Sequence, residues 1–203
     1  PFGAAMKARF KDVLRPFVSS LPALSGLPSW SRSMRVLQHH GFQPQTVFDI
    51  GVAYGTFPLY RAFPNAFYHL VDPARESYAY MQRLAKQLRC ELHAVALGDR
   101  DGDAALEVRG DIQESTLLEE VGPRRVRRID RVPLRRFDTL FGPIEGPALC
   151  KIDVQGAEMM VLAGMIVPMI VRMPGAIVVM AGADAMIVVV LMVVSGLGAA
   201  RRR

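Results

Sequence analysis

The sequence predicts an α/β protein built on a parallel sheet, and three observations carry that prediction. From residue 45 onward, short apolar β-rich runs alternate with helical periods, the pattern of strand–helix–strand units. Three of these runs, QTVFDI (45–50), AFYHLVD (66–72) and PALCKID (147–153), bring an aspartate to their carboxyl ends, where open α/β sheets bind ligands. The chain has 203 residues, 51% of them hydrophobic and 22% charged. That is enough apolar side chain for one domain with a real core, and it excludes a disordered tail or a small stapled scaffold.

The elements follow in order. PFGAAMKARFKDVLRPFV reads as an amphipathic helix with Phe10, Val13, Leu14 and Phe17 on one face, and it lacks a signal-peptide core. Residues 19–30 form a Pro/Ser/Gly linker, and a short helix over 31–40 stops at Gly41, so residues 1–44 make an N-terminal helical segment and linker. The strand at 45–50 leads to a helix near 56–63, and the strand at 66–72 to a helix over 74–88. That second helix carries Tyr78, Met81, Ala85 and Leu88 on one face. CELHAVALGD (90–99) is a third strand, whereas DAALEVR, STLLEE and RRIDRVPL are shorter strands or loop pieces. After the strand at 147–153, GAEMMVLAG (156–164) is a helix ending at Gly164, which closes a ligand-binding domain at 45–165. Residues 166–203 form an apolar tail, and 166–200 contain only two charges, Arg172 and Asp184, with no clear period.

Charge is concentrated. The net charge is +6, and residues 124–136 alone, with seven Arg and one Asp, account for all of it. A basic surface spread over the molecule for nucleic acid does not fit this distribution. Val126, Ile129, Val132 and Leu134 interrupt the run, and no aromatic platform accompanies it, so a solvated edge strand is the preferred reading. Cys90 and Cys150 lie in apolar runs, which fits buried thiols in a reducing, cytoplasmic setting. His39, His40, His69 and His93 show no zinc spacing with the cysteines, and no metal is expected.

The chemistry-bearing residues sit at the strand ends. Asp49, Gly51, Gly55 and Thr56 follow the first strand; the glycines permit a sharp turn and close backbone approach to a ligand. Their GxxxG spacing is not the GxGxxG of dinucleotide folds, and an ordinary tight turn is the bland alternative. Asp72 ends the next strand 21 residues after Gly51, where a carboxylate can accept two hydrogen bonds from a ribose diol. Taken singly, such an aspartate is more often a helix N-cap or turn residue before Pro73; its spacing from the first loop favours the ligand. Lys151-Ile-Asp153-Val-Gln155-Gly156-Ala-Glu158 brings Asp153 beside the same crevice, with helix capping again the alternative.

TVFDIGVAYGTFPLYRAFPNAFYHLVDP, AVALGDRDG and LCKIDVQGAEMMVLAGM, in that order over about residues 45–165, resemble the FkbM-type S-adenosylmethionine-dependent methyltransferases. The resemblance implies a Rossmann-like class I methyltransferase sheet and methyl transfer to a hydroxyl oxygen, on a sugar, glycan or natural-product acceptor. It implies cofactor contacts at Asp49, Gly51, Gly55 and Asp72, with Gly98 and Asp99 flanking the adenine. Asp153 and Glu158 become the signature acids beside the methyl-transfer crevice. Ala53 stands where many members carry Asn, and residues 166–203 do not resemble the family's continuation, so the sheet is expected to be incomplete at that end.

A hydroxyl acceptor needs a group to take its proton; Asp153 is the first candidate and His93 a distant second. Three rival readings are weighed: a nicotinamide-dependent oxidoreductase, which lacks GxGxxG; a nucleic-acid methyltransferase using the Arg run; and a cofactor-binding module without catalysis. Residues 176–200 exceed the roughly 20 needed to span a bilayer core, but Asp184 lies among them. A buried strand–turn–strand pair or an aberrant tail is preferred to a membrane anchor.

Overall fold

The computed structural model describes residues 30–117, 126–172, 176–180 and 187–191. The expected N-terminal helix around Phe10–Phe17, most of the linker, and Arg201–Arg203 lie outside the described residues. The first described helix, α1 (Trp30–His39), ends as its Gly41 predicts. Gly41 is left-handed at φ +72. Its amide donates to the Gln38 carbonyl, and that of Phe42 to Leu37, the paired bonds of a Schellman cap.

Strand–helix alternation then builds the main sheet. β1 (Thr46–Ile50) leads to α2 (Phe57–Ala62), β2 (Phe67–Val71), α3 (Arg75–Leu84) and β3 (Arg89–His93). The predicted third strand breaks in two. β4 (Ala96–Gly98) leaves the main sheet and pairs parallel with β6 (Arg128–Arg136), which also pairs antiparallel with β5 (Gly102–Val108). β6 is therefore the middle of a three-stranded sheet, not the solvated edge strand expected from its arginines. Its period-2 pattern explains why: Val132 and Leu134 point into a small core with Leu106 and Val108. Further along the same face Arg128 meets Glu76 at 2.8 Å, and on the outer face Arg131 meets Asp103 at 2.7 Å.

A short helix, α4 (Phe137–Phe141), precedes β7 (Ala148–Ile152) and α5 (Glu158–Arg172). The main sheet has the order β3-β2-β1-β7-β9-β8. β3, β2, β1 and β7 are parallel; β9 (Ile187–Leu191) is antiparallel to β7, and β8 (Ala176–Met180) is antiparallel to β9. The two apolar runs of the tail thus form neighbouring strands beyond β7, while the segment around Asp184 lies outside the described residues.

The helix expected to stop at Gly164 does not stop there. α5 runs on to Arg172, through the boundary expected at 165. Gly164 is a packing residue: a Cβ at this position would run into the Gly98 carbonyl oxygen, so its absence lets α5 lie against the end of β4. Alternation along β1 and β7 divides the core between the two faces of the sheet. Val47, Tyr68, Leu70 and Leu149 pack under α1, α2 and α3; Phe48, Ile50, Cys150 and Ile152 pack under α4 and α5. Among the described residues, no helix is long and apolar enough to cross a membrane.

Candidate active site

The site grows from a charge pair inside the sheet. Parallel pairing of β1 with β7 sets Asp49 beside Lys151. Nζ of Lys151 lies 3.0 Å from Oδ1 of Asp49, and their side chains are 2% and 0% exposed. Lys151 also donates to the Gly51 carbonyl. Asp49 accepts hydrogen bonds from Thr56 Oγ1 at 3.2 Å and from the Tyr60 hydroxyl at 2.5 Å. Burial, and then the Asp49 charge, push the Tyr60 hydroxyl far above the usual range, so it stays a proton donor. Both oxygens of Asp49 are thus occupied inside the protein. Its part is to fix the loop that follows β1.

That loop turns sharply. Gly51, Ala53 and Gly55 all have positive φ, at +79, +46 and +111. At Gly51 glycine is required, because a Cβ would collide with the Asp153 carbonyl. Gly51 N–H donates to Val71 and Asp153 N–H to Ile50, which draws the ends of β1, β2 and β7 together. Asp72, 6% exposed, bridges two walls: Oδ2 accepts from Ala53 N–H at 2.8 Å and Oδ1 from Ala74 N–H at 2.9 Å. Burial raises its carboxyl above the usual carboxylate range, and these two amides, then the Ser77 hydroxyl and Lys151, act against the rise.

The third wall is the turn between β7 and α5. Gln155 and Gly156 take positive φ. Glu158 Oε1 accepts from Val154 N–H at 3.2 Å and Gly156 N–H at 3.0 Å. Thr116 Oγ1 donates to the Gln155 carbonyl at 2.7 Å, tying the turn to the segment after β5.

Together these elements enclose a cleft at the carboxyl ends of the strands, lined by Gly51, Asp72 and Asp153 with Val71, Leu97 and Leu106 among its apolar walls. Asp153 is about a third exposed, with Oδ2 4.0 Å from Lys151 Nζ. Of the sequence-predicted residues, the structure brings Gly51, Asp72 and Asp153 to one cleft. Asp49 stands behind the loop, and Gly55, within it, faces Leu84 and Phe57 and does not line the cleft. Glu158, 4% exposed, holds the β7–α5 turn through its Oε1. Gly98 and Asp99 lie past the lining, which uses Val95, Ala96 and Leu97 instead, because β4 turns away to pack under Gly164. His93 faces His69 on β2 and does not line the cleft.

Tyr60, and the parts played by Lys151, Thr56 and the Ala53 amide, are not evident in the sequence alone. A lysine in the middle of an otherwise apolar strand, one residue before that strand's end, was the available signal for a buried partner.

No curated protein matches the chain. Among solved structures, it is similar to one from Staphylococcus aureus described as a "putative caffeoyl-CoA O-methyltransferase". The likeness is 12% identical, covers 89% of this chain and 91% of that one, and has a TM-score of 0.37. The family model of the methyltransferase FkbM domain matches residues 49–173, from the buried aspartate of β1 to just past the end of α5. Since that match takes in β1, the cleft and α5, the chain belongs to the FkbM-domain methyltransferase family.

Proposed function

We propose that the chain binds S-adenosylmethionine in this cleft and methylates a hydroxyl oxygen of a sugar, glycan or other small natural-product acceptor. The observation that carries the reading is Asp72. Each of its oxygens accepts one backbone N–H and the Ser77 hydroxyl lies against the same carboxylate, so acceptor capacity remains on it for ribose hydroxyls. The residues present fit such a ligand: backbone without side chain at Gly51, a buried carboxylate at the cleft floor, and apolar walls at Val71 and Leu97 for a flat base.

When bound, the cofactor supplies an already activated methyl group, so the protein's work is alignment and proton management. Asp153, at the mouth of the same cleft, is the group that takes the acceptor's hydroxyl proton. Lys151 and Asp49 hold Gly51, and through it the cofactor loop, while Glu158 sets the turn that aims Asp153.

Calorimetric titration of the full chain with S-adenosylmethionine and, separately, with NADH tests the reading. Binding of the first and not the second is expected; tight NADH binding with none of S-adenosylmethionine overturns it. Transfer of labelled methyl from the cofactor to a panel of sugars and hydroxylated natural products then defines the acceptor.

A further inference from the structure

Apart from the cleft, β2 and β3 bring three metal-ligating side chains to one patch. Parallel pairing sets His69 beside Glu91 and Val71 beside His93, so His69, Glu91 and His93 share a face of the sheet. His69 Nδ1 lies 3.1 Å from His93 Nε2 and 3.5 Å from Glu91 Oε2, and that oxygen is 3.8 Å from His93 Nε2. The in-plane point equidistant from all three atoms is about 2.0 Å from each. An ion ~0.5 Å above that plane lies about 2.1 Å from each, within the range of zinc bonds to imidazole nitrogen and carboxylate oxygen and with a fourth position open.

The rings are held in place. Phe48 stacks on His69 with centroids 4.9 Å apart, and Phe141 lies 4.8 Å from His69 and 5.1 Å from His93. One side of the triangle is packed and the other opens to water through Glu91, which is 62% exposed. A hydrogen bond between the imidazoles would account for their 3.1 Å spacing alone. It would not place one carboxylate oxygen against both nitrogens.

We propose that His69, Glu91 and His93 form a binding site for a divalent transition-metal ion of the zinc type, with solvent completing a tetrahedron. Two neutral nitrogens and one carboxylate oxygen are a donor set zinc accepts readily. Sequence spacing alone predicts no metal, because the ligands come from two strands and meet only through their register. None of the three lines the cleft, so the ion is separate from the proposed methyl transfer. β3 is the outer strand of the main sheet, and the ion clips it to β2 just before the chain enters the cleft wall at Val95.

The test is titration of the full chain, stripped with chelator, by Zn²⁺ and by Co²⁺, with melting followed in parallel. We expect one equivalent bound, visible bands of four-coordinate Co²⁺ without thiolate charge transfer, and a higher melting temperature with metal. Glu91→Gln and His93→Gln each weaken binding at least about tenfold. His39→Ala/His40→Ala, which removes the other neighbouring histidine pair, leaves it unchanged. Glu91 is exposed, so Glu91→Gln keeps the core intact and the comparison decisive even where a histidine variant fails to fold. Absence of micromolar binding by the parent overturns the proposal, as does a folded Glu91→Gln with the parent's affinity.

Discussion

Lys151 stands beside Asp49 across the β1–β7 pairing, Nζ to Oδ1 at 3.0 Å, and neither side chain reaches solvent to any useful degree. The pair lies at the point where the two central strands end and the cleft begins. Lys151 also holds the Gly51 carbonyl, so the charge pair and the loop geometry are one structure. A buried ion pair is weak evidence for stability as such, but breaking it strands a charge.

Lys151→Met therefore leaves Asp49 buried with only Thr56 and Tyr60 as donors. A loss of roughly 3–5 kcal/mol is expected, the range for removing one partner of a buried pair. Asp49→Asn in the same chain removes the stranded charge and recovers much of the loss. Urea unfolding of parent, single and double variants measures both, and a double variant no more stable than Lys151→Met alone contradicts the pairing argument.

The parallel strands and their helices were legible because they obey local rules: apolar runs of strand length, helical periods between them, Gly41 as a stop. Gly164 was misread for a physical reason. A glycine after a helical period looks the same whether it ends the helix or makes room for a neighbour, and the neighbour here, the Gly98 carbonyl, is 66 residues away in sequence. The same limit hid the break between β3 and β4. Pairing of β4 with β6 depends on a strand some 30 residues further on, and no local pattern announces it. That Asp72 and Asp153 line the cleft was legible because they end strands. Glu158 shows a holding role that the sequence does not announce: its Oε1 accepts from the Val154 and Gly156 amides.

Gly164→Ala separates the two meanings of that glycine. Alanine is the better helix former by about 1 kcal/mol. A Cβ at 164 nevertheless meets the Gly98 carbonyl and the Phe137 amide. Net destabilisation of about 1–3 kcal/mol is expected, as for overpacking. A raised urea midpoint would mean that α5 does not press on β4.

Asp72 gives the proposed cofactor affinity a pH dependence of known sign. Its carboxyl is raised above the usual range by burial. A raised acid pKa means the folded protein holds the proton to higher pH than the unfolded chain does. Ionising Asp72 thus lowers folding stability as pH rises from the unfolded value, about 3.9, through the raised one. Cofactor affinity runs the other way, because a protonated Asp72 loses acceptor capacity toward the ribose hydroxyls. Titrations at falling pH should show affinity declining earlier than an ordinary carboxylate would allow. In Asp72→Ala, affinity at neutral pH drops about tenfold or more, for loss of a charged hydrogen bond of roughly 1.5–3 kcal/mol, and the acid decline disappears. An unaltered acid decline in that variant would place the titrating group elsewhere.

Asp153 is, with Asp72, one of two acids that line the cleft among the described residues, and its position separates binding from turnover. It lines the cleft near the β7–α5 turn, and Lys151 lies 4.0 Å from its carboxylate. Its backbone amide is already engaged by Ile50, so Asp153→Asn keeps the main-chain contacts that shape the turn. The variant should bind S-adenosylmethionine nearly as the parent does while losing turnover by roughly 10²–10⁴-fold, the usual contribution of a positioned general base. A base acts on charge that develops only in the transition state, so kcat falls and cofactor Kd stays. The pH–rate profile provides the second readout: the acid limb present in the parent should vanish in Asp153→Asn. Equal losses in cofactor affinity and turnover, with the limb intact, would make Asp153 a cofactor contact or a turn former and leave the proton to another group.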